Sequence, residues 1–420
     1  MRILTKLILL ALAGSSGLAI AADDDVVVMY GMGMPFFDQA ETKNATTPPP
    51  SAANRPSMLP ATAYTGNNDP SRQRITVGTS HWGFRGAESL GGGWKAVFQM
   101  ESAFPVDQNT GVGWAARDSK VGLANARFGE IFMGQWDTPY KIIALPTNPI
   151  RGGYTFDRNV IIGNPGMNVP GTTTQFTRAG GKADASFDRR QGNSVQYVSP
   201  TWAGFHFRLQ HSVDEGKTQL VANGPFISPT VTGGYVQYDR GTLSLRYAYD
   251  RHRDYFGLTQ IGGSAAGTAA NPNSKDEGHK FVVLWTIGNT RITGTWDRLR
   301  YRNSDSLATA INEYKRDAYY AVIEQRFFGG RQSVFGAYGR ANDGSCMKVN
   351  GTSCNTSGIG AAFWNVGYIY RFSKRTEGFL YYYKLDNKEN GTYNIGPGVT
   401  PTIAPGADVT GWGTGIQHFF

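Results

Sequence analysis

The chain ends in the segment GWGTGIQHFF, residues 411–420. Its large apolar residues Trp412, Ile416 and Phe420 share one parity, while Gly411 and other small or polar residues occupy the alternate positions. Because successive side chains of a strand point to opposite faces, one face of this segment can contact lipid while the other meets water or closely packed backbone. The segment therefore predicts the closing strand of a membrane-spanning β-barrel.

Composition supports the same fold class. The 420 residues include 54 Gly, 20 Pro and 13% aromatic residues, yet the mean hydropathy is −0.36. This chain is too polar for a helical membrane protein and rich in residues typical of strands and turns. A barrel reconciles these facts because only alternate strand residues need to be apolar. A soluble two-layer β-sandwich has the same period and is the alternative.

The first residues have the pattern of a secretory signal. Arg2 and Lys6 are basic, an apolar run covers residues 7–12, and Ala19-Ile20-Ala21 fits the small-x-small cleavage pattern. We expect a signal peptide at residues 1–21 and a barrel domain at residues 22–420. An uncleaved anchor is disfavoured because the run falls short of the roughly 20 residues that span a bilayer. The formal charge of +9 is spread along the chain, which argues against nucleic-acid binding.

Strand candidates are joined alternately by short turns and by long polar connections. The predicted short turns are at residues 86–93, 125–127, 199–204, 239–241, 288–289, 328–331 and 373–375. The predicted long loops are at about 38–71, 105–115, 137–188, 214–229, 253–277, 302–313, 341–357 and 387–407. This alternation indicates an all-β, antiparallel transmembrane barrel of about sixteen strands, with short periplasmic turns and long extracellular loops.

Alternation within the strands predicts which face each residue occupies. In residues 94–101, 205–210 and 243–249, the bulky apolar residues should face lipid. The residues between them, including Arg208 and Arg246, should face the interior. Aromatic residues are expected in girdles at the two membrane interfaces, with packing inside the protein as the alternative. The residues assigned to these girdles are Trp364, Tyr368, Tyr370, Tyr381 and Tyr383.

Cys346 and Cys354 are separated by seven residues that include Asn, Gly, Thr and Ser, and they are candidates for a loop disulfide. No histidine lies nearby to complete a metal site or to activate a thiol, so metal binding and catalysis are less favoured. We expect no metal and no cofactor.

Several segments resemble known sequences. The stretch HWGFRGAESLGGGWKAVFQME, residues 81–101, is similar to the second hairpin of Gram-negative general porins, especially their β-proteobacterial branch. Further similar segments are KVGL at 120–123, FGEIFMGQ at 128–135, NSVQYVSP at 193–200 and the C-terminal strand. Together they extend over nearly the whole mature chain in the expected order.

This resemblance implies a homotrimer of sixteen-stranded barrels in the outer membrane of a Gram-negative bacterium, surrounded by lipid and lipopolysaccharide. Each barrel would hold a water-filled pore, narrowed by a third external loop that folds inward. Here that loop is at about 137–188. An ordinary exposed loop is the alternative.

The resemblance also implies candidate site residues. In such channels a ladder of basic wall residues faces acidic groups or carbonyl groups of the constriction loop. Comparison by position suggests His81, Arg85, Lys120 and Arg190 for the wall. Arg117 is a further wall candidate, although its parity requires a bulge or a strand entry to turn it inward. Because His81 is mostly neutral at pH 7, its contribution to the ladder should depend on pH.

Within the loop, Asp157, Asp184 and Asp188 are available to face the wall, and Arg158 is one of several basic residues near them. Basic groups outnumber acidic ones here, which predicts a preference for anions. Solvation of these charges at the loop surface is the alternative.

The predicted function is passive diffusion of small hydrophilic solutes, and no reaction is needed. A channel selective for one anionic solute is an alternative, because the loop is rich in aromatic residues. An outer-membrane barrel enzyme is disfavoured, since the six histidines are scattered without a recognisable motif.

Overall fold

The computed structural model describes residues 27–107, 113–150, 157–171, 173–175, 182–213, 218–219, 226–263, 274–304, 307–395 and 402–420. The expected signal peptide lies outside the described residues, so its cleavage stays a prediction. No helix in the described ranges has both the length and the apolar run needed to cross a bilayer.

Within the described ranges, sixteen strands form one closed antiparallel barrel, as predicted. The first strand, β1, has two segments, Val27–Gly33 and Phe36–Lys43, and β2 likewise has Arg72–Thr76 and His81–Gly91. The others are β3 Trp94–Ala103, β4 Ser119–Asn125, β5 Gly129–Asp137, β6 Arg189–Val198, β7 Phe205–Val213, β8 Thr230–Arg240, β9 Leu243–Arg253, β10 Lys275–Ile287, β11 Thr290–Arg302, β12 Ile311–Phe327, β13 Gln332–Ala341, β14 Ala361–Arg371, β15 Thr376–Asn387 and β16 Asp408–Phe419.

The barrel closes between its first and last strands. Trp412 of β16 pairs with Gln39 of β1, and the backbone groups of Gly31 and Phe420 exchange two hydrogen bonds of 3.1 Å. Closure leaves no row of unpaired backbone groups facing hydrocarbon, which an open sheet would have. The closing role predicted for the C-terminal strand is confirmed.

The outward face of β16 is also as predicted. Trp412, Ile416 and Phe420 are 40–45% exposed, whereas Gln417 of the opposite parity is fully buried inside. The same alternation holds on β7, where Phe205 and Leu209 are exposed and Arg208 is buried. A membrane-spanning barrel requires this arrangement, with apolar residues on its outer face and polar residues in its interior.

The girdle assignment is wrong for two tyrosines. Tyr381 and Tyr383 of β15 are 1% and 0% exposed and point inward, while Trp364 and Tyr368 of β14 do point outward. The reason is the register: Tyr381 pairs with Gly413 and Tyr383 with Gly411, so β16 leaves room for both rings. A side chain at either glycine would collide with the facing tyrosine hydroxyl.

The connections follow the predicted pattern with small shifts. The turn expected at 86–93 shrinks to residues 92–93, because β2 continues to Gly91 and pairs there with Trp94. The first long loop begins at residue 44 rather than 38, since β1 extends to Lys43. Cys346 and Cys354 are joined as a disulfide across a small hairpin in the loop between β13 and β14, with their Cα atoms 5.3 Å apart.

Candidate channel constriction

The connection between β5 and β6 folds into the barrel. It begins with a short helix, α1 Pro139–Ile142, for which Thr138 is the N-cap and accepts a hydrogen bond from the Lys141 amide at 3.3 Å. Proline at the first helical position and threonine at the cap favour a helix start here. The helix packs against β8 and β9, so the chain turns inward directly after β5. This inward course agrees with the expectation for the third loop, called the constriction loop below.

Side chains of β10, β11 and β12 hold the backbone of the constriction loop. Lys280 Nζ donates to the Tyr140 carbonyl at 3.0 Å, and the Tyr140 hydroxyl donates to Asp297 Oδ2 at 3.1 Å. Arg316 donates through Nε to the Asn164 carbonyl at 3.0 Å and through Nη2 to the Ile161 carbonyl at 2.9 Å. The loop is therefore fastened to one side of the barrel wall.

A buried ionic network joins the loop to itself and to the wall. Arg158 binds Asp157 at 2.9 Å and Asp188 at 2.8 Å, and Lys280 binds the other oxygen of Asp188 at 2.8 Å. Burial alone lowers the pKa of the Arg158 guanidinium, but the carboxylates of Asp188 and Asp157 raise it above its ordinary value. Burial raises the pKa of the Asp157 carboxyl, against the opposite effect of Arg158.

Among the loop residues that the structure describes, the charges of Arg158, Asp184 and Asp188 are consequently not solvated at a surface, which was the alternative interpretation. Arg158 is 1% exposed, and Asp184 and Asp188 are fully buried. Asp188 does face a basic wall residue, although that residue is Lys280 rather than a member of the predicted ladder. Buried charges of this kind are retained with partners because isolated ones are costly.

The predicted wall residues lie on the other side of the barrel, and three of them are paired with acidic residues. Arg190 donates to Asp118 at 2.5 Å, Arg117 donates to Glu101 at 2.8 Å, and Lys120 pairs with Glu130. Arg117 turns inward because it precedes β4, which begins at Ser119; the strand-entry geometry that its parity required is present.

The remaining two candidates come from β2. His81 Nε2 lies 3.8 Å from Glu101 Oε2, and its Nδ1 lies 2.8 Å from the Thr79 carbonyl. The Arg85 guanidinium lies 5.0 Å from the centre of the Tyr30 ring, a cation–π distance, and no carboxylate of the described residues lies within ion-pair distance of it. Arg85 is thus the predicted ladder residue whose charge is least compensated.

Two further interior arginines were assigned to the correct face but not to the site. Arg208 donates to Gln196 at 2.6 Å and lies 5.3 Å from the Phe132 ring. Arg246 donates to the Ile143 carbonyl of the constriction loop at 3.1 Å. Neither has a carboxylate partner among the described residues. Their alternation with bulky apolar residues predicted that both arginines face the interior. The resemblance, however, implied wall residues only on earlier strands.

Nearer the short turns, one buried carboxylate serves three guanidinium groups. Glu324 of β12 is contacted by Arg371 at 3.1 Å, Arg326 at 3.2 Å and Arg291 at 3.5 Å. Arg371 also lies 3.6 Å from Glu377. This part of the inner wall therefore carries an excess of positive charge that the sequence interpretation missed, because it depends on the register of β11 to β15.

Exposure differs between the two sides of the barrel at the level of the loop. The side chains of Lys280 and Asp297, under the loop, are fully buried. The side chains of His81, Arg117 and Lys120, on the side facing the loop, are 21%, 16% and 11% exposed, respectively. Of these five charged side chains, water reaches those opposite the loop's attachment.

Comparison with known proteins agrees with this architecture. The family described as Gram-negative porin matches residues 9–390. Outer membrane porin protein 32 of Delftia acidovorans is 25% identical over 350 residues, covering 81% of this chain and 85% of that protein. An outer membrane porin protein of Bordetella pertussis is 24% identical over 335 residues, covering 72% and 75%.

Among solved structures, an anion-selective porin from Comamonas acidovorans has the same fold. It aligns with a TM-score of 0.66 and 21% identity, covering 94% of this chain and 99% of the other. OmpT of Vibrio cholerae, an outer-membrane protein, aligns with a TM-score of 0.58 and 13% identity, covering 96% and 99%.

Proposed function

This chain belongs to the family of Gram-negative porins, and from that premise we propose that its outer-membrane channel prefers anions among the small hydrophilic solutes that diffuse through it. The proposal rests on inward-facing guanidinium groups that outnumber the carboxylates paired with them. Arg85, Arg208 and Arg246 have no carboxylate partner among the described residues, and Glu324 is shared by three arginines. Fixed positive charge along a water-filled path favours anions.

The acidic residues of the wall limit the strength of this preference. Glu101, Asp118 and Glu130 neutralise much of the predicted ladder. Selectivity should therefore depend on Arg85 and on the arginines nearer the short turns, rather than on the paired ladder alone. The anion selectivity stated for the Comamonas acidovorans protein is consistent with this proposal.

The test is the reversal potential of the reconstituted channel across a salt gradient. We expect an anion-selective sign, and a smaller magnitude for the variant Arg85→Gln/Arg246→Gln. A matched control is Arg251→Gln/Lys315→Gln, which removes the same charge from exposed residues on the outer face of β9 and β12 and should leave the potential unchanged. A cation-selective wild-type channel would refute the proposal.

A general pore is favoured over a channel for one particular anion. The aromatic residues of the constriction loop that were considered for a binding path are used for packing where the structure describes them. Tyr140 is bonded to Asp297, and Phe187 stacks on the His252 ring with a centroid distance of 4.2 Å. We expect conductance to rise linearly with salt, without blockade by small organic anions at low concentration.

We also propose that the chain has no catalytic role. The nearest candidate for a catalytic residue among the scattered histidines is His252, two residues from Asp250. His252 is completely buried against Phe187 and out of reach of a substrate. Assays of the purified protein for lipase and protease activity test this directly. Activity that survives further purification and is lost in His252→Ala would contradict it.

We propose a homotrimer that is assembled through the outward face of the early strands. Met100, Val121 and Met133, on β3, β4 and β5, form an exposed apolar surface, with Val121 68% and Met133 66% exposed. A lipid-facing surface would also be apolar, so the test is assembly. The variant Val121→Arg/Met133→Arg should convert the trimer band to monomer on semi-native gels, and a matched change at Val236 and Phe281 on β8 and β10 should not.

A further inference from the structure

The first long loop, residues 44–71, reaches the opposite side of the barrel mouth. It connects β1 to β2, but the Met58 carbonyl lies directly against Gly262, in the loop between β9 and β10. A Cβ atom at Gly262 would collide with that carbonyl, and the φ of Gly262 is +92°, a region that favours glycine. These two hairpins are eight strands apart in a ring of sixteen, so the first loop extends half-way round the mouth.

The first loop is fastened to two further loops on this course. Thr46 donates through its amide to the Pro405 carbonyl at 2.8 Å and through its hydroxyl to the Glu389 carbonyl at 2.6 Å, both in the loop between β15 and β16. The Ser57 amide donates to the Asn355 carbonyl at 2.9 Å, and the Asn355 amide donates to Ser57 Oγ at 3.1 Å. Asn355 belongs to the loop between β13 and β14. The first loop is therefore held by its neighbours rather than extended into solvent.

Two side chains of the first loop are buried where it meets other loops. Met58 is 3% exposed and belongs to the same buried apolar cluster as Leu258. Leu258 lies on a short helix, α2 Gly257–Gln260, in the loop between β9 and β10. Tyr64 is 6% exposed, and its hydroxyl donates to Asn390 Oδ1 at 2.5 Å, in the loop between β15 and β16. Met58 and Tyr64 therefore join the first loop to two different loops.

The helix α2 in turn packs against the constriction loop. It contacts the 3-10 turn Lys182–Ala185, near the end of the constriction loop. The Tyr301 hydroxyl of β11 donates to the Ala185 carbonyl at 2.6 Å and holds the same turn against the barrel wall. The turn is therefore held between the wall and α2, and the apolar cluster of α2 includes Met58.

The loop between β15 and β16 contacts the constriction loop at a second point. The Asn168 amide donates to the Thr392 carbonyl at 3.0 Å, and Asn168 Oδ1 accepts a hydrogen bond from the Ile403 amide at 2.8 Å. The Tyr393 ring is 1% exposed and lies so close to Gly166 that a Cβ atom there would be 2.9 Å from the ring. The first loop is therefore joined to the constriction loop through this connection as well.

The outer loops and the barrel wall restrain different parts of the constriction loop. Lys280 and Arg316 of the wall bind backbone carbonyl groups between residues 140 and 164. The outer loops contact residues 166–168 and 182–185. Removal of the outer contacts should therefore loosen a part of the constriction loop that the two wall cations do not bind through its backbone.

We propose that Met58 and Tyr64 of the first loop are positioning residues for the pore. Acting through α2 and through the loop between β15 and β16, they hold the constriction loop from the side of the long loops and keep the width of the pore steady. A solute need not contact either side chain, since both are buried among neighbouring loops. The proposal depends on the inward course of the constriction loop and not on the preference for anions.

The test is single-channel recording of the full-length, reconstituted protein. Met58→Ser removes the buried apolar side chain, and we expect the fraction of time spent outside the main conductance level to rise about tenfold. Met58→Leu keeps a similar volume and apolar character and should record as the wild type does. The matched control is Met347→Ser, the same change at a residue that is 46% exposed in the loop between β13 and β14, and it should have no effect.

Tyr64→Phe is the second variant, because it keeps the ring and removes only the hydrogen bond to Asn390. Loss of one neutral hydrogen bond should raise the same fraction of time about fivefold. The control Tyr197→Phe removes a hydroxyl that donates to the Phe128 carbonyl at 2.7 Å, at the short-turn end of the barrel, and should leave the recordings unchanged. The heat resistance of the barrel, measured on gels, reports folding separately for every variant.

Wild-type recordings from both Met58→Ser and Tyr64→Phe would overturn the proposal, and so would equal changes in the two controls. If Met58→Ser does not fold, Tyr64→Phe decides, since loss of one hydroxyl leaves the packing of the ring in place. A cation-selective wild-type channel would refute the proposed anion preference and leave these expectations unchanged. Failure of the positioning role and failure of the anion preference are therefore separate outcomes.

Discussion

Asp188 forms the buried ion pairs that join the constriction loop to the barrel, in addition to the hydrogen bonds from Lys280 and Arg316, so its replacement should loosen the loop. In Asp188→Asn, Lys280 loses its carboxylate and Arg158 keeps only Asp157. Breaking a buried ion pair by removing one partner costs about 3–5 kcal/mol. Because Asn still accepts hydrogen bonds and Asp157 remains, we take the lower value, about 3 kcal/mol. This corresponds to a shift of roughly a hundredfold toward the released loop.

Single-channel recording is the assay. We expect Asp188→Asn to show frequent transitions between conductance levels and a larger mean conductance, while the heat resistance of the barrel stays near that of the wild type. The control is Asp157→Asn, in which Arg158 keeps Asp188 and the effect should be small. Replacing both partners, in Asp188→Leu/Lys280→Met, should restore quiet recordings because an apolar pair leaves no unpaired charge. Wild-type recordings from Asp188→Asn would refute the anchoring role.

Three further outcomes are expected. Glu324→Gln should strengthen the anion preference measured by reversal potential, since three arginines lose their shared carboxylate, and Glu377→Gln should have less effect. The Tyr64 hydroxyl donates a hydrogen bond to Asn390 at 2.5 Å and so joins two long loops. Burial raises the pKa of the Tyr64 phenol to about 12. This contact is therefore stable below pH 10 and is lost as the pH rises toward 12. Titration of tyrosinate absorbance in wild type and Tyr64→Phe should differ by a step centred near pH 12. Cys346→Ser/Cys354→Ser should increase proteolysis within the hairpin of the loop between β13 and β14 and leave conductance unchanged.

Each of these has an opposite result. A weaker anion preference in Glu324→Gln would mean that the carboxylate positions its arginines rather than offsetting them. A Tyr64 step near the ordinary pKa of about 10 would show that the hydroxyl is solvated. Altered conductance in the cysteine variant would connect the hairpin to the pore.

Parity was enough to predict the strands and most of their faces. It assigned Phe205, Arg208 and Leu209 correctly, because the period of two is a local property of the backbone. The assignment of Tyr381 and Tyr383 was wrong because it used their aromatic character instead of their parity. Their positions in the strand match those of inward-facing residues.

The electrostatic balance of the candidate site could not be predicted in the same way. Whether Arg117 meets Glu101, or Arg190 meets Asp118, depends on strand register and on how each long loop enters its strand. Likewise, the inward folding of the constriction loop was expected from the resemblance, but its attachment through Lys280 and Arg316 requires contacts between residues far apart in sequence. Pairings of this kind are not local, so a list of basic residues overestimates the charge that a solute meets.

The seam between Gly31 and Phe420 has a consequence for biogenesis. The two residues that complete the ring are separated by nearly the whole polypeptide, so the last ladder to form carries the greatest loss of chain entropy. A nascent or truncated chain that lacks either residue keeps two strand edges with unpaired backbone N–H and C=O groups. Lipid cannot form hydrogen bonds with these groups, but the strands of neighbouring molecules can. Only a chain that has both partners can therefore close the barrel and stop its strand edges from pairing with those of other molecules.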